Sequence, residues 1–278
     1  MDYKTIVLLV ERDWRPELFE VAFALARDMQ AHLVGLHTVR PVYLPAHVLA
    51  EAGPSAELML ASQKAAVERL ENEARAAFES TAARFGHRTI EWRVARQDPL
   101  DAMVLSARYA DLVIASQPVP GEDWNGEAHR MRDSLTLLTG RPVLFVPYAG
   151  AFPVVGKKVL VAWDAGRESA RAVADSHPFL SRAQWVRVAV FNPGRRHGEE
   201  PGADIGLHLA RHGIKVSAVA RVNHDVGIGE LILSEAADCG ADLLVMGAYG
   251  HSRIRELALG GATRTLLDAM TLPVLMSH

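Results

Sequence analysis

Ala241-Asp-Leu-Leu-Val-Met-Gly-Ala-Tyr-Gly-His-Ser-Arg-Ile-Arg-Glu-Leu-Ala-Leu-Gly-Gly-Ala-Thr263 decides how this chain is read. An apolar run, Ala241 to Met246, leads through glycines at 247, 250, 260 and 261 into the helical pattern Arg264-Thr-Leu-Leu-Asp-Ala-Met270. Strand, glycine loop and helix start in succession form the unit of an α/β protein, and the place where such proteins hold phosphate. Glycines let the backbone approach an anion, and unpaired amides at a helix start carry partial positive charge. A turn that only reverses the chain needs one glycine. Four at a strand-to-helix junction point to anion binding.

The same design occurs twice. Ala110-Asp-Leu-Val-Ile-Ala115 matches Ala241 to Met246, and Arg141-Pro-Val-Leu-Phe-Val146 matches Leu272-Pro-Val-Leu-Met-Ser277, both at an offset of 131 positions (110 to 241, 141 to 272). At the starts of the halves, Lys4-Thr-Ile-Val-Leu-Leu-Val10 matches Lys157-Lys-Val-Leu-Val-Ala-Trp163 at an offset of 153 (4 to 157), so the first half holds extra residues in its middle. The breaker-rich Pro147-Tyr-Ala-Gly-Ala-Phe-Pro153 marks the junction, giving domains 1–148 and 154–278.

Short β-branched runs alternate with helical patterns in each half, the signature of a mainly parallel sheet covered by helices. Strands are predicted near 5–10, 32–38, 89–94, 111–116 and 142–146, and again near 158–163, 185–191, 215–221, 242–247 and 273–277. Helices are predicted near 16–29, 98–108, 127–138, 168–175, 203–212, 226–238 and 262–270. The extra residues, Ser55 to Phe85, read as one long amphipathic helix ended by Gly86. Leu60, Val67, Leu70, Ala74, Ala77 and Phe85 form its stripe, and Lys64 with Glu68 and Glu71 with Arg75 lie four apart on its solvated side.

The glycines carry a resemblance to the universal stress protein family, whose nucleotide-binding members have Gly, two residues, Gly, nine residues, Gly, then Ser or Thr. Gly247, Gly250 and Gly260 fit that spacing, whereas Gly261 stands where the hydroxyl residue would be and Thr263 offers a hydroxyl two places on. Val159-Leu-Val-Ala-Trp-Asp164 resembles the family's first strand, which ends in an acid beside the adenosine. The resemblance implies a tandem member: two doubly wound α/β domains, each a five-stranded mainly parallel sheet with helices on both faces, related by a pseudo-twofold axis. Terminal strands Val143–Val146 and Val274–Met276 would pair edge to edge as an intramolecular pseudo-dimer, with a homodimer also open.

It also implies a ligand, ATP or a related adenine nucleotide, with or without Mg²⁺. Adenine would lie near the backbone of Phe191 and the end of the strand at Met246, and Asp164 near the base or ribose. Gly247 and Gly250 would give room to the ribose and α-phosphate, and Gly260, Gly261, Ala262 and Thr263 would face the terminal phosphates. His251, Arg253 and Arg255 either close over the phosphates or face water, and the sequence leaves both open.

The first half is not so equipped. Aligned with Gly247, Gly250, Gly260 and Gly261 are Ser116, Val119, His129 and Arg130, and Glu11 replaces Asp164. No amide cradle is expected there. His129, Arg130 and Arg132 read as a solvated helix start, with a side-chain anion site as the alternative.

Of 278 residues, 49% are apolar, enough for a sizeable core, and the net charge of −3 gives no drive toward nucleic acid or acidic lipid. Cys239, the one cysteine, excludes an intrachain disulfide and suits a reducing cytoplasm, with buried packing as its expected role. Neither an export signal nor a membrane span is read. His208 and His212 lie four apart on a predicted helix, but Asp204 is about 12 Å from the second of them along the axis, and His37, His47, His197 and His224 are scattered, so no metal site is assigned. With no P-loop, no adenylation motif and no Gly-x-Ser-x-Gly, no catalytic residue is assigned either. The expected function is a cytoplasmic stress-response protein regulated by a nucleotide, with at most slow ATP hydrolysis. The alternative is a ligand-independent interaction protein with a relic loop.

Overall fold

The run Thr5–Val10 shows no polar alternation, as expected of a strand covered on both faces, and forms β1. A computed structural model of the chain describes residues 2–12, 14–39, 54–119, 127–250 and 261–278. Next come β2 (His32–Thr38), β3 (Ile90–Ala95), β4 (Leu112–Ser116) and β5 (Val143–Val146). The second half repeats them as β6 (Lys158–Ala162), β7 (Trp185–Phe191), β8 (Val216–Arg221), β9 (Leu243–Gly247) and β10 (Val274–Ser277). The ten form one sheet of order β3-β2-β1-β4-β5-β10-β9-β6-β7-β8.

Eight of the pairings are parallel. At the seam, β10 runs antiparallel to β5, with Val274 opposite Phe145, Leu275 opposite Leu144 and Met276 opposite Val143. This is the expected edge pairing, and it covers two apolar edges that would otherwise template aggregation. Each half is doubly wound with the same strand order on either side of the seam. Alternate residues of β1 feed two buried clusters on opposite faces of the sheet, Ile6, Leu8 and Val10 in one, Val7 and Leu9 in the other, and both clusters draw on both halves.

The repeated Ala-Asp pair has a structural cause. Asp111 Oδ2 accepts the backbone N–H groups of Lys4 and Thr5 at 2.7 and 3.0 Å, and Asp242 accepts those of Gly156, Lys157 and Lys158. Each carboxylate thus fixes the entry of its half's first strand. The charge of Asp242 is held by these amides against burial, which pushes its pKa up from the ordinary carboxylate value.

The helices are α1 (Pro16–Met29), α2 (Pro54–Phe85), α3 (Pro99–Ala107), α4 (Glu127–Leu138), α5 (Arg167–Asp175), α6 (His177–Leu180), α7 (Ala203–Arg211), α8 (Ile228–Asp238) and α9 (Ala262–Ala269). Strand and helix ends fall within two residues of the predicted ones, the usual extent of fraying. The four-residue α6 was not foreseen, being too short to show a period. Gly86, with φ of +64°, ends α2 as predicted. In α2, Ala74 and Phe78 are buried while Leu60, Val67 and Leu70 are half-buried, because the N-terminal part of the helix is less deeply packed. Arg75 turns to Glu79 at 2.8 Å and Glu71 to Arg96 at 3.4 Å, in place of the pairing of Glu71 with Arg75.

Polar ties join the halves beyond the seam. Asp2 forms a paired ion bridge with Arg182, and the Tyr3 hydroxyl donates to the Asp175 carbonyl. On the opposite face Gln117 and Arg132 of the first half reach α9 of the second.

Candidate functional site

Parallel strands leave a crevice at their carboxyl edge where strand order reverses, here between β6 and β9. A cleft of about 420 Å³ occupies it, within the roughly 300–1,000 Å³ range of small-molecule sites. Asp164, Phe191, Met246, Gly247, Gly250, Gly261, Ala262 and Thr263 all line it, so the fold gathers eight of the nine residues that the sequence singled out. The ninth, Gly260, lies outside the described residues, as do His251, Arg253 and Arg255.

Three loops bound this cleft, and each contains a non-glycine residue with left-handed backbone: Ala165 (φ 57°), Asn192 (φ 46°) and Tyr249 (φ 57°). Such backbone is uncommon outside glycine and clusters at ligand sites. Asp164 Oδ1 accepts the Gly166 N–H at 2.8 Å and so heads α5. The Asn192 side chain donates to the Asn223 carbonyl and accepts the Asn223 N–H, both at 2.8 Å, fastening the loop after β7 to the loop after β8.

The glycines also have packing roles that the spacing did not disclose. A Cβ at Gly247 would lie 2.5 Å from the Glu168 carbonyl carbon and the Ser169 amide nitrogen, so this glycine lets α5 pack on β9, a role the sequence reading did not give it. At Gly250 a Cβ would meet Glu168 Oε2 at 2.9 Å and Asp164 Oδ2 at 3.8 Å. Its backbone is not left-handed. Gly250 therefore keeps the cleft open in front of two carboxylates.

Glu168, which the sequence reading missed, is 5% exposed and pairs with Arg167, itself largely in solvent. Being on the inward face of the first turn of α5 was its only sequence signal. Ala162, Trp163, Ser169, Gly227, Ile228, Ile232 and Tyr249 complete the described walls and were also missed. Thr263 is buried, and its Oγ1 already accepts the Tyr249 N–H at 3.4 Å. The described lining carries no cationic side chain. Attraction for an anion comes from the amides of Gly261, Ala262 and Thr263 at the head of α9.

The part of the first half's equivalent crevice beside α4 is filled. Lined by Glu11, Ser116, Pro118, Met131 and Arg132 among others, it holds about 10 Å³. Arg132 stands at the position of Thr263, and this corrects the solvated helix start expected of it: the side chain is 3% exposed and its Nη2 lies 3.0 Å from Asp268 Oδ1 on α9. Beside it Gln117 Nε2 donates to the carbonyls of Leu267 and Asp268 at 2.9 and 3.1 Å. Arg130 is exposed, and the side chain of His129 lies outside the described residues.

Elsewhere, folding brings the His177 ring to 5.6 Å from His212, which is 4.9 Å from His208. No three His, Cys, Asp or Glu groups among the described residues are arranged to hold a metal ion, and His47 lies outside those residues. Cys239 is half-buried, short of the buried packing expected, with its thiol pKa pushed up by partial desolvation. No helix among the described residues is long and apolar enough to cross a membrane.

Comparison with known proteins bears on this arrangement. Residues 181–278 match the model of the Universal stress protein family. A universal stress protein of Synechocystis is 40% identical over 123 residues, which cover 42% of this chain and 41% of that protein, so the match spans about two fifths of that relative's length. A universal stress protein from Archaeoglobus fulgidus superposes with a TM-score of 0.67 at 14% identity, over 98% of this chain and 95% of that one. A Pseudomonas aeruginosa protein described as functionally unknown gives 0.61 at 17%, over 99% and 92%. At these identities the solved structures speak for the fold alone.

Proposed function

We propose that this chain, whose residues 181–278 match the universal stress protein family model, is a member of that family and that the cleft between β6 and β9 binds one adenine nucleotide, ATP or a close relative, with a regulatory rather than catalytic outcome. The observation that carries this reading is one cleft of about 420 Å³ joining Asp164, Phe191 and Gly250 to the amides at the head of α9. Adenine takes the apolar side by Phe191, Met246 and Ile232, and the ribose hydroxyls donate to Asp164. The phosphates approach Gly261, Ala262 and Thr263. Mg²⁺ bound with the nucleotide would offset the carboxylates of Asp164 and Glu168. We assign the nucleotide-responsive unit to residues 154–278, the degenerate unit to 1–148, and the whole to a cytoplasmic stress response.

A second reading, a ligand-independent interaction protein with a relic loop, draws on Glu168, whose carboxylate faces the space over Gly250 where phosphate would pass. Titration calorimetry with ATP and Mg²⁺, together with analysis of nucleotide released on denaturing the purified protein, separates the two. The first reading expects one site per chain. Neither heat nor released nucleotide would leave the second.

A further inference from the structure

His208 and His212 lie four apart along α7, and the fold brings a third imidazole beside them. Helices α5 and α7 pack on one face of the sheet, where Ala172, Val173, Ile205 and Leu209 join a single buried cluster. Each follows a strand of a parallel pair and therefore runs back to the amino edge of the sheet. There α5 ends at Asp175 and α7 at Arg211, so that His177, which opens α6, meets His212 at the C-cap of α7. Their ring centroids are 5.6 Å apart, and His212 is 4.9 Å from His208. The cleft opens at the other, carboxyl edge, and none of the three histidines lines it.

The ring nitrogens of His37, His87 and His278 meet backbone carbonyls. Among the described residues no hydrogen bond engages the rings of His177, His208 and His212, which leaves their nitrogens free to ligate. Two imidazoles on one tetrahedral ion, with metal–nitrogen bonds of about 2.0–2.1 Å, place their ring centroids about 5 Å apart, close to both observed separations. As the rings stand, no three groups aim at one point. Rotation about the last side-chain torsion, which is broad for histidine, re-aims the nitrogens and leaves each centroid nearly in place. His208 and His212 are exposed, so His208 is also free to turn at χ1 and close on the half-buried His177. The C-terminal end of α7, where His208 and His212 stand, carries partial negative charge and favours a cation.

We propose that His177, His208 and His212 bind one divalent transition-metal ion of the kind imidazole prefers, Zn²⁺, Ni²⁺ or Cu²⁺, at the amino edge of the second half, with water completing the coordination. The probe is Zn²⁺ alone, titrated by calorimetry into the full chain after treatment with EDTA, without nucleotide and near pH 7.5, where imidazole is mostly neutral. One ion should bind per chain and raise the urea midpoint, because the site ties α6 to α7. His208→Gln, His212→Gln and His177→Gln should each weaken binding at least about tenfold, no less than the loss of an outer-shell partner costs a metal site. His224→Gln, in the exposed loop after β8, should change nothing. Circular dichroism checks the fold, and the exposed His208 and His212 keep the test open should His177→Gln fold poorly. Absence of zinc binding, binding that survives His208→Gln and His212→Gln as an ion held by the carboxylates of the cleft would, or equal affinity in folded His177→Gln would overturn the proposal.

Discussion

The crevice between β1 and β4 and the crevice between β6 and β9 are framed by corresponding strands, yet beside α4 the first is closed to about 10 Å³, whereas the second runs on as one cleft of about 420 Å³ to the head of α9. What the halves share is scaffold. Asp111 and Asp242 hold equivalent strand starts, and β5 and β10 meet at the seam. What they do not share is the lining: Ser116 for Gly247, Val119 for Gly250, Arg132 for Thr263. A duplicated crevice need not be maintained twice, and here the spare one has been filled by an arginine that ties it to its twin. Gln117 and Arg132 grip the C-terminal end of α9, whose N-terminal end opens on the other cleft.

The largest way to break this contrast is at Gly250. If a nucleotide binds the folded second half alone, at a hundred times its dissociation constant it stabilises the protein by about 2.7 kcal/mol. Gly250→Val should abolish that gain, since the branched side chain would enter the space before Glu168 and Asp164. Val119→Gly should create no new site, because Arg132 still fills the first crevice. Ligand-dependent urea unfolding checks both, and a full ligand shift in Gly250→Val would remove the assignment.

Next is Gly247. Its neighbours at 2.5 Å are backbone atoms of α5, which cannot swing aside as a side chain would. Gly247→Ala should cost about 1–3 kcal/mol of stability without ligand, the range of overpacking, whereas Ser116→Ala at the equivalent position should cost much less. Equal losses would show that α5 yields easily and that the glycine serves the ligand after all.

A smaller effect tests the tie between halves. Gln117→Leu leaves the carbonyls of Leu267 and Asp268 without their donor and should cost about 1–2 kcal/mol. Nucleotide affinity should fall with it, since α9 carries the amides of the cleft. Unchanged affinity alongside reduced stability would make Gln117 purely structural.

These residues also show what a sequence discloses. β1 and β6 were legible because strands buried on both faces read as unbroken apolar runs, and the glycine positions because their spacing is local. Arg132 was not: an arginine is buried only with a partner, and Asp268 lies across the seam on another helix. Glu168 was hidden similarly, since its closeness to Gly250 arises only when α5 packs on β9. Gly247 was located but its packing role was not legible, because close packing by a helix and close approach by a ligand both demand glycine.

The smallest expected effect sharpens the comparison at the second strand, where His37 of the first half aligns with Val190 of the second. Desolvation by burial, with Arg96 acting the same way, lowers the His37 pKa against the opposing pull of the Val10 carbonyl and Glu71. Between that lowered value and the ordinary one of about 6.5, the unfolded chain binds more protons than the folded one. Stability therefore rises with pH across this window and is lost as pH falls through it. Val190 has nothing to titrate. His37→Val, which gives the first half the residue of the second, should reduce the stability lost between about pH 7.5 and about pH 5.5, leaving the share of His177, whose pKa is also lowered by burial. Urea midpoints at the two pH values measure the difference. An unaltered pH dependence in the variant would mean that the His37 ring takes up its proton as readily in the folded chain as in the unfolded one.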